Sequence, residues 1–228
     1  MRFIYLLSFF ILPISISGQL PLLPPSQPVV TYLDNAGEQA VVFMGREHVK
    51  YPIHYANHPW LNSPDFVKGK LYYNGVMYAA IDMKLDLYRD ELVITPPDAP
   101  FSIVVESTLV DSAILNDTQI RFFETPVGDM PAGYAIMLHN GNTQLFQKYK
   151  LILRNMVESG KLITRFDILK SYWLVNTSGV SRITRVSDLN RHFPDQRRSI
   201  RSFLNTNQLN FRKNPEHTLV LLLNYLDQ

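Results

Sequence analysis

The sequence predicts an α+β fold: a predominantly antiparallel β-sheet, either one curved sheet or a sandwich, built from successive hairpins, with two to three C-terminal helices packed on it. Three observations lead to this prediction. Apolar and polar residues alternate over 76–88, as in a strand with one buried face. Asn-Gly turns recur between apolar runs. After Val186 the apolar residues follow helical spacing instead.

The strongest hairpin signal is Asn74-Gly75, which lies between two apolar runs within Gly69–Ile94. The run after this turn has an apolar face and a polar face. The apolar face holds Met77, Ala79, Ile81, Met83, Leu85 and Leu87, and the polar face holds Asp82, Lys84, Asp86 and Tyr88. This alternation is much longer than the usual strand of about 5–6 residues. We therefore expect a bulge near Ala79-Ala80, where the side chains are small.

Other strands are indicated by short apolar runs between turn residues. The single runs are Val41–Met44, Phe101–Glu106, Ser107–Leu115 and Gln119–Glu124. The paired runs of two more hairpins are Gly133–Leu138 with Thr143–Tyr149, and Tyr172–Val175 with Val180–Val186. Residues 150–166 fit either a strand or a helix.

The C-terminal part of the chain carries helix signals. Ser187 is suited to cap a short helix that runs to Phe193. Asp195–Asn205 places its apolar residues on one side. Asn214-Pro215-Glu216 supplies a cap, a proline and an acidic residue at the start of a terminal helix. That helix is mostly apolar, so we expect it to dock on the sheet.

The beginning of the chain is typical of an export signal. Residues 1–18 contain one basic residue, Arg2, then an apolar run and small residues, so we predict a signal peptide cleaved near Ser17. A retained membrane anchor is the alternative, but the run is interrupted by Pro13 and is shorter than a span of about 20 residues. We expect a proline-rich linker over 19–30, an antiparallel β region over 31–186, and a helical region of the same domain over 187–228.

Composition narrows the class of protein. The 228 residues are 46% hydrophobic and 12% aromatic, which suffices for a folded core. The formal net charge of +2 gives no electrostatic case for a nucleic-acid partner. There is no cysteine, which excludes disulfide-linked partners, thiolate metal sites and a lipoprotein anchor. We expect an exported protein of the periplasm or cell surface, soluble or peripherally attached.

The chain resembles a group of secreted Bacteroidota proteins of unknown function that are often encoded near TonB-dependent outer-membrane receptors. The segments that carry the resemblance are MGREHVKY, HPWL, GKLYYNGVMYAAIDMKLDLYRDELVI, GYAIMLHNGN, YWLVNTSGV and DLNRHFPDQRRSIRSFLNTNQLNFRK. The resemblance covers roughly residues 37–228 and is a pattern of strands and turns. It implies export and an outer-membrane partner, and it supplies no catalytic residues.

An aromatic loop over residues 50–64 is the main candidate for a binding site. Its candidate residues are Tyr51, His54, Tyr55, His58 and Trp60. Aromatic side chains dominate the energetics of interfaces, so an exposed cluster here would form a contact patch. The alternative is an aromatic loop packed over one end of the sheet. The two histidines are four residues apart, but the flanking prolines disfavour the helix that would make them metal ligands. We expect neither a metal nor a cofactor.

No residue pattern identifies an enzyme. Asp82 and Asp86 lie about 13 Å apart on an extended strand, too far for an acid/base pair acting on one glycosidic bond, which needs about 5–10 Å. With Asp90 and Glu91 they are best explained as a solvated face and a turn. Serine-nucleophile, phosphate-loop and metalloprotease signatures are absent from the sequence. We therefore expect a protein that is not an enzyme.

Residues 180–217 contain eight basic and three acidic side chains. Arg191, Arg197, Arg198 and Arg201 are candidates for contact with anionic lipid or lipopolysaccharide headgroups, although a solvated helix face explains them as well. Asp111-Ser112-Ala113 fits the triplet that bacteria of the resembled group use for O-glycosylation, so Ser112 is a candidate for modification.

Three functions follow from the sequence. The first is an exported accessory or binding protein of the bacterial cell envelope that is not an enzyme and contacts an outer-membrane partner. The second is a periplasmic carrier of lipid or lipoprotein acyl chains, with a curved-sheet groove lined by Met77, Ile81, Met83 and Leu85. The third is an envelope hydrolase without a recognisable motif, because catalytic groups are recognised in space and not by sequence position.

Overall fold

A computed structural model of the protein describes residues 40–52, 55–97, 99–177 and 179–227. The predicted signal peptide, the linker and the predicted start of the β region lie outside these ranges. The described chain forms eleven strands in a single sheet, followed by three helices. This confirms an α+β fold with an antiparallel sheet and C-terminal helices. The described strands lie in one open sheet, so a sandwich of two sheets is not seen.

The strands follow one another mostly as hairpins. They are β1 (Arg46–Glu47), β2 (Val67–Tyr73), β3 (Val76–Asp86), β4 (Glu91–Thr95), β5 (Ile103–Val104), β6 (Val110–Leu115), β7 (Thr118–Phe123), β8 (Gly133–Asn140), β9 (Gln144–Glu158), β10 (Lys161–Asn176) and β11 (Gly179–Ile183). Their order in the sheet is β1-β5-β4-β3-β2-β6-β7-β8-β9-β10-β11. The helices are α1 (Val186–Leu189), α2 (Arg197–Thr206) and α3 (Pro215–Leu226).

The β2–β3 hairpin confirms the predicted turn and the predicted bulge. Asn74 and Gly75 have φ angles of 51° and 75°, which is the geometry of a two-residue hairpin turn. The register between β2 and β3 shifts opposite Ala79-Ala80, and Ala80 has a φ of 56°. The bulge changes which side chains face inward, so Tyr78 is buried at 3% exposure and Met77 is only half-buried. The prediction that Met77 belongs to the buried face was therefore wrong.

The sheet curls strongly. Asp90, in the turn between β3 and β4, accepts a hydrogen bond from the backbone N–H of Tyr134 on β8, at 3.1 Å. Three strands lie between β3 and β8 in the sheet, so a flat sheet would hold them about 19 Å apart. Gly133 makes this contact possible, because a Cβ at that position would lie 1.8 Å from the Asp90 carboxylate.

Three groups of buried side chains hold the fold together. The first core fills the curl of β2–β8 and includes Leu71, Tyr73, Met83, Leu85, Leu92, Ile94 and Ile120. The second core lies between β9–β11 and the helices and includes Leu145, Leu174, Ile183, Ile200, Leu219 and Leu222. A smaller third group forms around Phe146 and Trp173. The terminal helix docks on the sheet as predicted.

Several predicted elements differ from the observed ones. Val41–Phe43 is a 3-10 turn and not a strand, with Val42 and Phe43 packed in the first core. Ser107–Leu109 is likewise a 3-10 turn before β6. Residues 150–166, which the sequence left ambiguous, belong to the two longest strands, apart from the turn at Ser159-Gly160. α3 begins at Pro215 as predicted, and the side chain of Asn214 caps it.

We predict that Ala80→Gly raises the free energy of unfolding by about 0.5 kcal/mol. A left-handed backbone costs a residue with a Cβ about 1–2 kcal/mol, while glycine costs about 0.5–1 kcal/mol in chain entropy. Ala79→Gly is the matched control and should lower the free energy by about 0.5–1 kcal/mol, because Ala79 has an ordinary φ. Urea unfolding measures both, and an equal loss in both variants would contradict the bulge geometry.

Candidate functional site: the β9–β10 arm

The outer part of the β9–β10 hairpin, residues 150–169, forms an arm. Pairing of β8 with β9 ends at Gln147, and pairing of β11 with β10 begins only at Tyr172. Between these limits the two arm strands pair with each other up to the turn at Ser159-Gly160. Nine residues of strand span about 30 Å. The arm therefore extends well beyond the neighbouring strands.

The arm exposes an unusual number of apolar side chains. The exposed members are Leu162 (72%), Val157 (69%), Leu169 (52%), Ile168 (46%), Ile152 (39%), Leu153 (37%) and Met156 (37%). Directly opposed residues of a hairpin share a face. Val157 opposes Leu162 on one face, and Met156 opposes Ile163 on the other. Both faces of the arm are thus partly apolar, and contiguous apolar surface of this kind marks an interaction site.

Charged side chains interrupt the face that carries Met156. Arg154 and Arg165 oppose each other there, and both contact the carboxylate of Asp167, at 2.5 Å and 3.2 Å. One carboxylate between two guanidinium groups offsets their repulsion and links the two strands. The face with Val157 and Leu162 has no charged residue in its outer half, so it is the more apolar of the two.

The aromatic loop clamps the arm along the middle of β10's outer part. The side chain of Asn57 bonds both backbone groups of Phe166: Nδ2 donates to the carbonyl at 2.8 Å, and Oδ1 accepts from the N–H at 2.7 Å. The backbone N–H of Ala56 donates to the carbonyl of Thr164 at 2.9 Å. The loop therefore takes the place of a neighbouring strand along this part of β10. Beyond Gln147, the edge of β9 that faces away from β10 pairs with no strand in the described chain.

The side chain of Phe166 also holds the arm to the body of the protein. Its ring is 1% exposed and lies among three tyrosines, with centroid distances of 4.7 Å to Tyr55, 5.1 Å to Tyr88 and 6.1 Å to Tyr51. Tyr51 and Tyr55, predicted as members of a binding patch, are half-buried in this packing. Their contacts hold the arm to the body of the protein, and a role of the same residues in binding remains a prediction.

The other end of the aromatic loop is joined to Asp86, which is fully buried. Its carboxylate accepts hydrogen bonds from the Tyr51 hydroxyl (2.6 Å) and from the backbone N–H groups of Tyr88 (2.9 Å) and Arg89 (3.0 Å). Burial and the bond to Asp86 raise the pKa of Tyr51 above its usual value. The prediction that Asp86 lies on a solvated face was wrong, because the loop covers it. The loop and the β3–β4 turn together supply the donors that a buried carboxylate needs.

The last residues of the aromatic loop pair with the end of β3. Leu61 donates to the carbonyl of Leu85, and the N–H of Leu87 donates to Pro59, both at 2.9 Å. Trp60 is half-buried, and the ammonium group of Lys84 lies 3.9 Å from its ring centroid. The remaining two predicted binding residues are His58, which is half-buried, and His54, which lies outside the described residues.

The predicted arginine patch is only partly brought together. Arg197, Arg198 and Arg201 line one open groove of about 330 Å³ on α2, whereas Arg191 is exposed between α1 and α2 and does not line it. None of the four forms an ion pair within the described chain. Contact of these arginines with anionic headgroups therefore stays a prediction.

Ser112 is half-buried in β6, opposite Tyr72 of β2. The preceding Asp111 accepts a hydrogen bond from the N–H of Gly75 at 2.9 Å, which ties the β2–β3 turn to β6. O-glycosylation of Ser112 stays a prediction.

Ile81, Met83 and Leu85, which were predicted to line a groove for acyl chains, are at most 5% exposed and pack in the first core. Their burial gives the carrier hypothesis no support. The described residues contain no group of three or more potential metal ligands. No helix in the described ranges combines the length and apolar character needed to cross a bilayer.

A serine–histidine contact that the sequence does not reveal lies at the β10–β11 hairpin. The hydroxyl of Ser181 bonds Nε2 of His192, and Nδ1 of His192 lies 3.2 Å from the side-chain amide nitrogen of Asn176. Burial and the nearby Arg191 lower the pKa of His192, which favours a neutral imidazole at pH 7. A base at Nε2 must carry its ring proton on Nδ1, which the amide nitrogen of Asn176 cannot accept. With that amide turned so that Oδ1 faces Nδ1, the three residues have the arrangement of a nucleophile, a base and a group that orients the base.

The arm was also missed from the sequence. The available signal was Ser159-Gly160, a turn dipeptide between two runs of similar length. It marks a hairpin, but side-chain exposure on both faces depends on where the neighbouring strands end.

No family model, no curated protein and no solved structure matches the chain. The resemblance to secreted Bacteroidota proteins therefore stays a prediction, and the geometry of the described residues is the basis for inferring a function.

We predict that Asn57→Ala loosens the arm without unfolding the protein. The substitution removes two hydrogen bonds worth about 1 kcal/mol each, so trypsin should cleave the arm at Arg154, Lys161 and Arg165 at least tenfold faster. Asn140→Ala, in the β8–β9 hairpin, is the control and should leave arm cleavage unchanged. Equal cleavage rates in all three proteins would show that the clamp does not hold the arm.

Proposed function

We propose that the protein is an exported, non-enzymatic binding protein of the bacterial cell envelope, and that the arm contacts an outer-membrane protein. The single observation that carries this proposal is the exposure of seven large apolar side chains on one two-stranded hairpin. A hairpin on its own is marginally stable in water, and here Asn57 and the tyrosines around Phe166 hold it in place. Such an anchored apolar projection is suited to binding.

The chemistry of the arm favours a protein partner over a lipid surface. An element that lies on a bilayer has one apolar face and one polar face, whereas this arm carries exposed apolar side chains on both. The free edge of β9 also offers backbone groups to an added strand, which is a common mode of protein recognition. Val157 and Leu162 would then be covered by the side chains of that strand.

Export is supported by the sequence of residues 1–18, which has the composition of a signal peptide. The proposed location is the periplasm or the cell surface. An outer-membrane partner is supported by the resemblance to proteins encoded near TonB-dependent receptors.

Substitution of the pair at the end of the arm tests the proposal. Val157→Ser with Leu162→Ser should reduce recovery of an outer-membrane partner by at least tenfold when the tagged chain is purified from solubilised envelopes. Burial of one such side chain contributes about 1.5–3 kcal/mol, and 1.4 kcal/mol is a factor of ten.

The matched control is Val76→Ser with Leu109→Ser, because these residues are each 37% exposed but lie outside the arm. Both double variants should unfold at the same temperature as the parent protein. Undiminished recovery with the arm variant, or equal loss with the control, would contradict the proposal.

A second candidate function, a serine hydrolase, is favoured by the contact between Ser181 and His192. In that function the Ser181 hydroxyl attacks the acyl carbon of an ester and its proton passes to Nε2 of His192. The bond from the acyl carbon to the alcohol oxygen then breaks and the leaving alcohol takes that proton, while Oδ1 of Asn176 orients the ring by accepting from Nδ1–H. Under the main proposal the same three residues only fasten the segment after α1 to the hairpin.

A fluorophosphonate probe distinguishes the two functions. If Ser181 is a nucleophile, its oxygen forms a bond to phosphorus, fluoride leaves, and the label disappears in Ser181→Ala and in His192→Gln. The main proposal predicts no labelling above that of Ser181→Ala. Mass spectrometry of the intact chain measures the added mass, and a label at Ser181 would establish the hydrolase.

A further inference from the structure

A cleft of about 760 Å³ lies at the side of the second core, remote in sequence from the aromatic loop. Its walls come from the part of β10 just before the pairing with β11, from the end of β11 and the residues after it, and from the segment that connects α2 to α3. Its lining includes Lys170, Arg182, Arg185, Arg212, Tyr172 and Phe211. The volume falls within the range of small-molecule sites, about 300–1,000 Å³.

The cleft is cationic. Four of its lining residues are lysine or arginine, and none is acidic. Lys170 pairs with Glu216 at 3.3 Å, and Arg185 pairs with Asp188 at 3.2 Å. Arg212 forms no ion pair with any described residue, and neither does Arg182. The guanidinium of Arg182 lies 6.0 Å from the Trp173 ring centroid, on the opposite face of the hairpin from Ile183. The positive charge at the cleft therefore exceeds the charge of the carboxylates beside it.

The partnered cations are held in place and stay charged. Burial alone would lower the pKa of Lys170, but Tyr149 and Glu216 outweigh it and raise the pKa. Glu216 is itself fixed by a hydrogen bond from Gln147 at 2.9 Å. The carboxylate of Asp188 accepts hydrogen bonds from the backbone N–H of Thr184 at 2.9 Å and from its hydroxyl at 2.8 Å. These bonds order the segment that follows β11.

The rest of the lining is apolar. Ile183, Val186, Leu209, Phe211 and Pro215 contribute to the walls, and Ile183 belongs to the second core. Pro215 is also the first residue of α3, so the positive end of that helix dipole lies at the cleft. Cationic groups and an apolar wall in one cleft are complementary to a ligand that carries an anionic group on an apolar body.

We propose that this cleft binds an anionic amphiphile, with a phosphate or carboxylate group held by Lys170 and Arg212 and an acyl or similar apolar body against Phe211 and Leu209. Arginine presents several donors to phosphate and carboxylate oxygens, which suits it to this role. The site differs from the α2 groove lined by Arg197, Arg198 and Arg201, and from the arm, so its ligand is independent of the proposed protein partner.

Calorimetric titration of the full chain with dodecyl phosphate and with dodecanoate, both below their micelle concentrations, tests the proposal. At least one of the two amphiphiles should bind with one molecule per chain. The one that binds more tightly shows whether the cleft prefers phosphate or carboxylate. Arg212→Gln and Lys170→Gln should each weaken binding about tenfold, equivalent to about 1.4 kcal/mol. Arg198→Gln, on α2, is the matched control and should leave the affinity unchanged.

Four results would overturn the proposal. The first is that neither amphiphile binds. The second and third are that neutral dodecyl maltoside, or inorganic phosphate, binds as tightly as the amphiphile. The fourth is that both cleft variants bind the amphiphile with the parent affinity. Equal binding of the neutral detergent would remove the role of the cationic side chains, and equal binding of inorganic phosphate would remove the role of the apolar wall. Thermal unfolding of each variant separates a loss of binding from a loss of structure.

Discussion

The structure depends on one short connection between distant parts of the sheet: the two hydrogen bonds of Asn57 to the backbone of Phe166. Asn57 belongs to a loop whose other end is fixed through Tyr51 to the buried carboxylate of Asp86. The same loop therefore joins β3 to β10, which are six positions apart in the sheet order. Without that connection, the arm would be a hairpin supported only at its base, with its apolar side chains free to collapse onto other surfaces.

Curling of the sheet makes this connection possible. The bulge at Ala80 adds twist to β3, and Gly133 lets the Asp90 turn approach β8. These two local features bring the β3–β4 turn toward the strands that form the arm. The helices pack against β9–β11, and the cationic cleft lies between β10, β11 and the segment that joins α2 to α3. The arm and the cationic cleft are both consequences of one folded sheet.

Local signals in the sequence predict much of the fold and little of the site. Asn74-Gly75, the small residues at Ala79-Ala80 and the Asn214 cap each act within a few positions, and each predicted feature is observed. Contacts between distant residues are different. Asp86 becomes buried because Tyr51, 35 residues earlier, donates to it, and the aromatic loop fastens the arm through residues about 109 positions apart. Periodicity contains no information about such contacts. The sequence therefore left the loop open between a binding patch and a loop packed over one end of the sheet, and the contacts that fasten it to β10 were missed.

Amide hydrogen exchange of the full chain, alone and with solubilised envelope membranes, tests the central claim most directly. If the arm is a clamped binding surface, the amides that pair β9 with β10 within residues 150–169 exchange slowly in the free protein. The unpaired amides on the open edge of β9 become protected when envelope is added. The account is contradicted if the arm exchanges as fast as an unstructured segment in the free protein. It is equally contradicted if added envelope slows the exchange of the α2 amides and leaves the exchange of the arm amides unchanged.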